Sequence, residues 1–319
     1  MNVTSIIDKS KGLIFKIERM TTDDGPGLRT TIYFNRCLLN CIWCHNPESI
    51  PQKPQLQWIN RKCIRSKHCI EACKEHALQF KKDDLYIQRE TCTNCGDCVE
   101  ACPSTALTMF GRWWDLEELF REVEKEKVFF RKTKGGITVS GGEPTLQPEF
   151  LLQFLKLCKN NEISTALDTC GYSSKKVYQE LLPFVDIVLL DLKVIDSDQH
   201  QEYTGVRNNR ILENAKWIAH YVKENGKTMW IRTPIIPNYT ATDENVKGIG
   251  DFIVNELNNI PDVWDLLAFN KLCETKYSRL GLSWPLENEP LMTKDEMEHL
   301  LDIAKTTGVE RVKWSGLIR

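Results

Sequence analysis

Short apolar runs alternate with amphipathic segments along most of the chain after residue 112. The apolar runs are ITVSGG (137–142), STALDTCG (164–171), IVLLDLK (187–193), MWIRTPII (229–236), WDLLAF (264–269) and RVKWSG (311–316). Their length and composition are typical of buried strands. Helical patterns such as PEFLLQFLKLCKNN and NAKWIAHYVKENG lie between most of them. This alternation predicts a parallel sheet with helices packed on it, either open or closed into a barrel.

The first part of the chain has a different pattern. Residues 13–37 predict two strands, LIFKIERM and LRTTIYFNRC, around the turn-forming loop TTDDGPG. Further on, WWDLEELFREVEKEKVFFR predicts one amphipathic helix, with Asp115 and Glu118 as its capping box. With about six βα units and no clear count of eight, the pattern favours an incomplete barrel that is open on one side.

A cysteine-rich segment interrupts this pattern. The stretch PQKPQ (51–55) indicates a boundary, and residues 54–110 hold seven of the 13 cysteines but little apolar periodicity. We therefore predict a core of residues 1–53 and 111–319, and an inserted domain at 54–110 that metal holds together instead of a hydrophobic core.

Composition and charge narrow the class of protein. The 319 residues carry 42 Lys and Arg against 44 Asp and Glu, a formal net charge of −2, which argues against nucleic-acid binding. No apolar run approaches the length of a membrane span, and MNVTSIIDKSKG does not resemble a secretory signal. These features predict a soluble cytoplasmic protein, in which clustered cysteines indicate metal or iron–sulfur ligation.

The first cysteine cluster is C-x3-C-x2-C, formed by Cys37, Cys41 and Cys44 after a predicted strand. Three thiolates at this spacing suit a 4Fe–4S cube whose fourth iron is left open for another ligand. A zinc site completed by His45 is the alternative, and it is less favoured because zinc sites use paired C-x2-C units.

The insertion carries a ferredoxin-type cysteine run followed by proline. The four cysteines of this run are Cys92, Cys95, Cys98 and Cys102. In such runs the fourth cysteine ligates the other cluster, so a twin run is expected, and zinc fits the spacing poorly. The upstream residues Cys63, Cys69 and Cys73 follow the same template, with Ser66 in place of one cysteine.

Crossed ligation predicts two sets of ligands in the insertion. The complete set is Cys73, Cys92, Cys95 and Cys98, and the incomplete set is Cys63, Cys69 and Cys102. For the missing ligand four alternatives stay open: Ser66 as an alkoxide, His68, a 3Fe–4S cluster, or no cluster at all.

Six motifs in order resemble the activating enzymes of glycyl radical enzymes, in the radical S-adenosylmethionine (SAM) superfamily. They are DGPGLR (24–29), WCHNPE (43–48), SGGEP (140–144), Asp168-Thr169, Asp191-Leu192-Lys193 and WIR (230–232). The resemblance covers nearly the whole chain. It implies a partial (β/α)6 barrel of radical SAM type with an inserted ferredoxin-like iron–sulfur domain.

The resemblance also implies roles for individual residues. Cys37, Cys41 and Cys44 would hold the catalytic cluster, and the expected SAM-site residues are Trp43, His45, Gly141, Gly142, Glu143, Asp168, Asp191, Lys193, Arg232 and Asn270. Asn270 stands where close relatives have a histidine. A monovalent cation near SAM is expected at Asp168, Thr169 and Asp191.

The implied activity is reductive cleavage of SAM to methionine and a 5′-deoxyadenosyl radical, which takes hydrogen from a glycine Cα of a partner enzyme. The implied partners are that glycyl radical enzyme and a flavodoxin or ferredoxin as electron donor, with the activating enzyme a monomer. Two alternatives remain: a radical SAM enzyme acting on a small molecule or nucleotide, and a ferredoxin-type electron-transfer protein.

Overall fold

The computed structural model describes residues 10–319. The expectation about an export signal concerns mainly residues 1–9, which lie outside the described part of the chain. The elements up to residue 115 are β1 (Lys11–Thr21), β2 (Arg29–Phe34), β3 (Gln55–Trp58), α1 (His68–Glu71), β4 (Leu78–Lys81), β5 (Asp84–Ile87), α2 (Asp97–Glu100), β6 (Leu107–Phe110) and β7 (Arg112–Asp115).

The remaining elements alternate between helix and strand. They are α3 (Leu116–Glu124), α4 (Lys127–Thr133), β8 (Gly136–Gly141), α5 (Pro148–Asn160), β9 (Ser164–Thr169), α6 (Lys175–Leu181), β10 (Ile187–Asp191), α7 (Ser197–Thr204), α8 (Asn209–Glu224), β11 (Thr228–Ile235), α9 (Asp243–Asn255), β12 (Val263–Ala268), α10 (Glu274–Leu280), α11 (Lys294–Thr306) and β13 (Val312–Ser315).

A nine-stranded sheet organises the fold, in the order β13-β12-β11-β10-β9-β8-β2-β1-β7. From β2 to β13 every neighbouring pair is parallel, and helices connect most of the consecutive strands. At the other end, β1 runs antiparallel to both β2 and β7. With β7 and β13 as its two edges, the sheet is open, which confirms the predicted α/β class and partial barrel.

The two faces of the sheet differ in chemistry. Leu167, Leu190 and Ile231 belong to the large apolar cluster that includes the buried sides of the helices. On the other face, Ala166 and Leu189 form a separate small cluster with Trp230 packed against it. Because side chains alternate between faces along a strand, residues two positions further along β9, β10 and β11 also lie on this inner face.

The six predicted strands are confirmed to within two residues at either end. The differences fall mainly at the carboxyl ends. The predicted strands included Cys170 and Gly171 after β9 and Leu192 and Lys193 after β10, but these residues belong to loops.

The predicted helix at 113–131 and its capping box are wrong. Trp113 and Trp114 belong to β7, and the helical part breaks into α3 and α4. Asp115 precedes α3 but its side chain makes no capping hydrogen bond. Its carboxylate lies 3.3 Å from Lys11 Nζ, and Glu118 pairs with Arg112 at 2.7 Å. Asp115 and Glu118 therefore form ion pairs with Lys11 of β1 and Arg112 of β7 instead of a capping box.

The segment between β3 and β6 forms a small substructure of its own. β3 pairs with β6 and β4 pairs with β5, both antiparallel. A compact apolar cluster fills it, with the buried members Leu56, Cys69, Leu78, Leu85, Ile87, Cys98 and Leu107. The expectation that it lacks a hydrophobic core is therefore wrong, although thiols make up part of that core.

No helix among residues 10–319 is long and apolar enough to cross a membrane.

The end of β8 lies unusually close to the end of β2. Gly141 has φ +119°, and a Cβ added there would lie 2.4 Å from the backbone nitrogen of Phe34. A Cβ on Gly142 would lie 2.3 Å from the carbonyl oxygen of Arg36. Only glycine permits this approach, which brings the SGGEP motif against the start of the cysteine loop.

We expect Gly141→Ala to lower the free energy of unfolding by about 3 kcal/mol, because both the backbone strain and the clash with a neighbouring strand must be accommodated. Gly226→Ala is the matched control: Gly226 also has positive φ, +59°, but has nothing within 4 Å of its added Cβ. It should cost about 1 kcal/mol. Denaturant unfolding measures both, and equal losses would show that the close approach contributes nothing.

Candidate active site

The predicted catalytic cysteines lie in the loop that follows β2. Cys44 N donates to the Cys41 carbonyl at 3.0 Å, which closes a tight turn between the two thiols. Helix α7 holds the middle of the loop, because Asn40 N donates to Thr204 O and Ile42 N to Tyr203 O, at 2.8 and 3.0 Å. The loop is thus fixed by backbone hydrogen bonds to a helix far away in sequence.

Helix α10 fixes the other end of the loop. Tyr277 Oη donates to the Cys44 carbonyl at 2.9 Å. Lys276 Nζ donates to His45 O at 2.8 Å and Asn46 Oδ1 at 2.7 Å, and lies 2.9 Å from Glu48 Oε1. Glu48 is 1% exposed, so this ion pair joins α10 to the cysteine loop inside the protein.

The buried carboxylate of Glu143, in the SGGEP motif, links two strand ends at the site through hydrogen bonds. Its carboxylate accepts hydrogen bonds from Thr145 N, Thr145 Oγ1, Thr169 Oγ1 and Cys170 N, and the residue is 1% exposed. A carboxylate engaged by four donors joins the end of β8 to the end of β9. Its predicted contact with the cofactor would have to be made by its backbone.

A row of alternating charges crosses the inner face of the sheet, from the carboxyl end of β10 through the interior of β11, β12 and β13. In register, Asp191 lies beside Arg232, Arg232 beside Asp265, and Asp265 beside Lys313. Lys313 Nζ lies 3.2 Å from Asp265 Oδ2. The inner face therefore has an apolar part, formed by the small cluster around Ala166 and Leu189, and a polar part, formed by this row of charges.

Asp168, Lys193 and Asp24 extend this row. Arg232 Nη1 lies 3.3 Å from Asp168 Oδ1 and 3.8 Å from Asp24 Oδ1. Lys193 Nζ donates to Asp191 Oδ2 at 2.5 Å. The predicted residues Asp168, Asp191, Lys193 and Arg232 are thus neighbours, as expected for side chains at one edge of a parallel sheet.

Burial and mutual attraction shift the pKa values of these groups. Burial, helped by Asp191, raises the pKa of Asp168 to about 6, although Arg232 and the hydroxyl of Ser140 oppose the shift. Burial alone would lower the pKa of Arg232, but its carboxylate neighbours more than offset that and raise it. The pKa of Lys193 is raised in the same way, chiefly by Asp191.

The three thiols of the cysteine loop are half-buried. Burial raises the pKa of Cys37, Cys41 and Cys44 to about 12 each, with further contributions from the neighbouring thiols. The free thiols are therefore neutral near pH 7, and only metal binding would convert them to thiolates, with release of protons.

One cavity of about 410 Å³ brings these features together. The predicted site residues on its wall are Cys37, Cys41, Trp43, Cys44, His45, Gly141, Gly142, Asp168, Asp191, Lys193, Arg232 and Asn270. Trp43 packs edge-on against Tyr203, with ring centroids 6.4 Å apart. Burial, followed by Lys276, lowers the pKa of His45, so its ring is neutral near pH 7.

The predicted cation ligands Asp168, Thr169 and Asp191 line the same cavity. The hydroxyl of Thr169 already forms hydrogen bonds with the Glu143 carboxylate and with Tyr178 Oη, each at 2.9 Å. Within residues 10–319, no three His, Cys, Asp or Glu side chains come close enough to hold a single metal ion. A 4Fe–4S cube makes no such demand, because its thiolates bind separate irons.

Several residues of the site escaped the sequence analysis. Asp24 was noted only as part of a motif, yet its carboxylate faces Arg232 and accepts from Thr31 Oγ1 at 2.6 Å. Ser140 donates to Asp168 at 2.6 Å, and Cys170 lies on the cavity wall. The sequence signal available for Ser140 and Cys170 was their position near the carboxyl end of a predicted buried strand.

The insertion groups its thiols in the two predicted sets. Cys73, Cys92, Cys95 and Cys98 line one cavity, and Cys63, Cys69 and Cys102 line another together with Ser66. The insertion is joined to the core by Arg89, whose guanidinium donates to the Leu56 and Leu280 carbonyls at 2.6 and 2.8 Å. Leu280 ends α10, the helix that also holds the catalytic loop.

Comparison with known proteins places the chain in a family. The sequence profile of the radical SAM superfamily matches residues 31–247, and the chain belongs to that superfamily. It is 38% identical to the (2S)-3-sulfopropanediol dehydratase activating enzyme of Klebsiella oxytoca, over 92% of this chain and 93% of that one. Within the superfamily it is one of the activating enzymes of glycyl radical enzymes, which confirms the predicted family.

Two further relatives agree. The chain is 35% identical to the indoleacetate decarboxylase activating enzyme of Tractidigestivibacter scatoligenes, over 95% of this chain and 97% of the relative. It is 32% identical to the choline trimethylamine-lyase activating enzyme of Oleidesulfovibrio alaskensis, over 91% and 94%. The chain is thus an enzyme that activates a partner protein by radical SAM chemistry, and the family implies SAM and a 4Fe–4S cluster. The small-molecule and electron-transfer alternatives are not favoured.

We expect Lys276→Met to lower the free energy of unfolding by about 3 kcal/mol, because it leaves the carboxylate of Glu48 buried without its cation. The double variant Lys276→Met with Glu48→Gln should recover most of that loss. As a control, Lys305→Met breaks an exposed pair with Asp302 and should cost less than about 1 kcal/mol. Denaturant unfolding measures all three, and a small loss in Lys276→Met would mean that the pair does not hold the loop.

Proposed function

We propose that this enzyme removes a hydrogen atom from the Cα of one glycine in a partner glycyl radical enzyme, with the cysteine loop and the charged row forming one SAM site. The observation that carries the proposal is that the three thiols of the cysteine loop and the charged side chains Asp168, Asp191, Lys193 and Arg232 line the same cavity. The relatives' names denote a dehydratase, a decarboxylase and a lyase as the enzymes they activate. We assign a partner of that kind to this chain.

The donor set of the cysteine loop fits a 4Fe–4S cluster. Cys37, Cys41 and Cys44 supply three thiolates, and the rest of the cavity provides room for a further ligand on the fourth iron. A bound cluster and SAM supply one electron and a 5′-deoxyadenosyl radical, with methionine as the other product. Backbone contacts to α7 and α10 hold the three thiols in position for this cluster.

The charges of the inner face suit the methionine part of SAM. A carboxylate and an ammonium group need one cation and one anion close together, and Arg232 with Asp168 and Lys193 with Asp191 offer two such pairs. The guanidinium fork of Arg232 suits a carboxylate in particular. We place Trp43, His45 and Asn270 on the wall around the rest of SAM. A monovalent cation at Asp168, Thr169 and Asp191 stays a prediction.

The open sheet gives the partner access. A hydrogen on a protein backbone must reach the radical directly, and a closed barrel would block the glycine loop of a folded partner. The sheet ends at β7 and β13, so we propose that the glycine loop enters on the side that closure would have sealed.

We propose that residues 54–110 form an iron–sulfur domain inserted in a core of residues 1–53 and 111–319. Cys73, Cys92, Cys95 and Cys98 fit a complete 4Fe–4S cluster. A flavodoxin or ferredoxin is the proposed electron donor, in line with the positive charges of Arg61, Lys62, Arg65 and Lys67 within the insertion. The enzyme is proposed to act in the cytoplasm as a monomer.

In an anaerobic assay with reconstituted protein, dithionite and SAM, we expect Cys41→Ala to lower 5′-deoxyadenosine formation to background and to lower bound iron by about four per chain. Without this thiolate the cube loses one of only three protein ligands. Cys158→Ala is the control, since Cys158 is a fully buried thiol that lies in α5 within the large apolar cluster, away from the cavity.

The control should keep iron content and nucleoside formation within about twofold of the parent, because it touches no metal or substrate. Retained nucleoside formation in Cys41→Ala would overturn the assignment of the catalytic loop. A loss in both variants, together with a lowered unfolding midpoint, would attribute the effect to misfolding.

A further inference from the structure

The insertion contains a second thiol cavity that lacks one ligand. Cys63, Cys69 and Cys102 line it, and the only other side chains there with oxygen atoms are the serines Ser66 and Ser104. The companion cavity has four thiols around it. Two cavities whose residues follow the same spacing template thus present different donor sets in one small substructure.

We propose that the cavity of Cys63, Cys69 and Cys102 holds a 3Fe–4S cluster whose open corner faces Ser66. The proposal rests on the proposed function in one respect, the assignment of residues 54–110 to iron–sulfur clusters. It adds the composition of the second cluster. Three thiolates, one for each of three irons, match the three thiols that the cavity supplies.

Histidine ligation does not fit the geometry. His68 is exposed, begins the one-turn helix α1, and is not part of the cavity wall. Ser66 is half-buried and lies on the wall, at the position that the missing cysteine of the template would have taken. The fourth corner therefore meets a hydroxyl and not an imidazole.

The hydroxyl of Ser66 is a poor replacement for a thiolate. A serine hydroxyl is normally a neutral donor and acceptor, and its oxygen is a harder ligand than the soft sulfur that iron–sulfur clusters use. Of the two positive charges next to Ser66 in sequence, Lys67 lies on the cavity wall, whereas Arg65 makes its contacts elsewhere. The guanidinium of Arg65 donates to Cys63 O and Asn60 Oδ1, each at 3.0 Å, and lies over the rings of Trp58 and Phe80.

The second serine on the wall, Ser104, is also placed as a polar neighbour of the cluster. Ser104 Oγ lies 3.7 Å from Cys102 Sγ, within hydrogen-bond range for sulfur. Hydrogen bonds to cluster sulfurs tune the reduction potential of a cluster without adding a ligand. Both serines thus act as polar neighbours of a three-thiolate site.

Electron paramagnetic resonance (EPR) after mild ferricyanide oxidation of the reconstituted full chain tests the proposal, with SAM present to ligate the open iron of the catalytic cluster so that this cluster does not itself lose iron and give a three-iron signal. An oxidised 3Fe–4S cluster is paramagnetic, whereas an oxidised 4Fe–4S cluster is EPR-silent. We expect about one such spin per chain in the parent protein, with about eleven irons before oxidation. Ser66→Ala should leave both values unchanged, and Ser66→Cys should abolish the signal and raise iron by about one per chain.

Two thiol variants assign the signal to its cavity. Cys69→Ala should abolish it, and Cys95→Ala, in the companion cavity, should retain it. About twelve irons and no signal in the parent protein would overturn the three-iron assignment. So would a signal that is absent from the parent and first appears in Ser66→Ala, because it would identify Ser66 as a ligand. About eight irons would mean that the cavity is empty.

These readouts separate the inference from the proposed function. About four irons per chain, with 5′-deoxyadenosine still formed, would reject clusters throughout the insertion but leave the catalytic assignment standing. A full three-iron signal in a protein that forms no nucleoside would support the cluster in the insertion but reject the catalytic assignment.

Discussion

The alternating charges across the inner face of the sheet are the constraint on which the rest of the site depends. Partly buried charges are costly unless each meets a partner, and Asp191, Arg232, Asp265 and Lys313 satisfy that condition only when β10 to β13 keep their present register. A shift of one residue would turn these side chains toward the apolar helices. The charges therefore fix the strand register, the cavity edge and the chemistry at that edge together.

The thiols meet these charges through contacts that are distant in sequence. The cysteine loop follows β2, but α7 and α10 hold it, and Lys276 reaches it across more than two hundred residues. Gly141 and Gly142 bring the end of β8 against the same loop. The glycines were expected to serve the approach of SAM, but the packing of two strand ends already requires them.

The same helix α10 connects the core to the insertion. Its last residue, Leu280, accepts from Arg89, and Arg89 precedes the cysteine run that begins at Cys92. Its residues Lys276 and Tyr277 contact the catalytic loop. One short helix thus sets the position of the insertion relative to the catalytic thiols.

The sequence predicted those features that local patterns encode. Apolar runs located the strands, and cysteine spacing located both thiol sets of the insertion, because the template itself specifies crossed ligation. The lost cap at Asp115 was missed because ion pairs with Lys11 of β1 and Arg112 of β7 engage Asp115 and Glu118 instead. The contacts of Lys276 and Tyr277 with the cysteine loop, and those of Glu143 with the end of β9, are tertiary contacts. The sequence holds no local signal for them.

The most direct test of the account follows the hydrogen atom itself. The reconstituted enzyme, a reductant and SAM would be mixed with a candidate glycyl radical enzyme that carries deuterium at its glycine Cα positions. The account predicts a glycyl radical in the partner by EPR and one deuterium in the 5′-deoxyadenosine that is released. Nucleoside that forms without deuterium and without a partner radical, for each of the dehydratase, decarboxylase and lyase types, would contradict it.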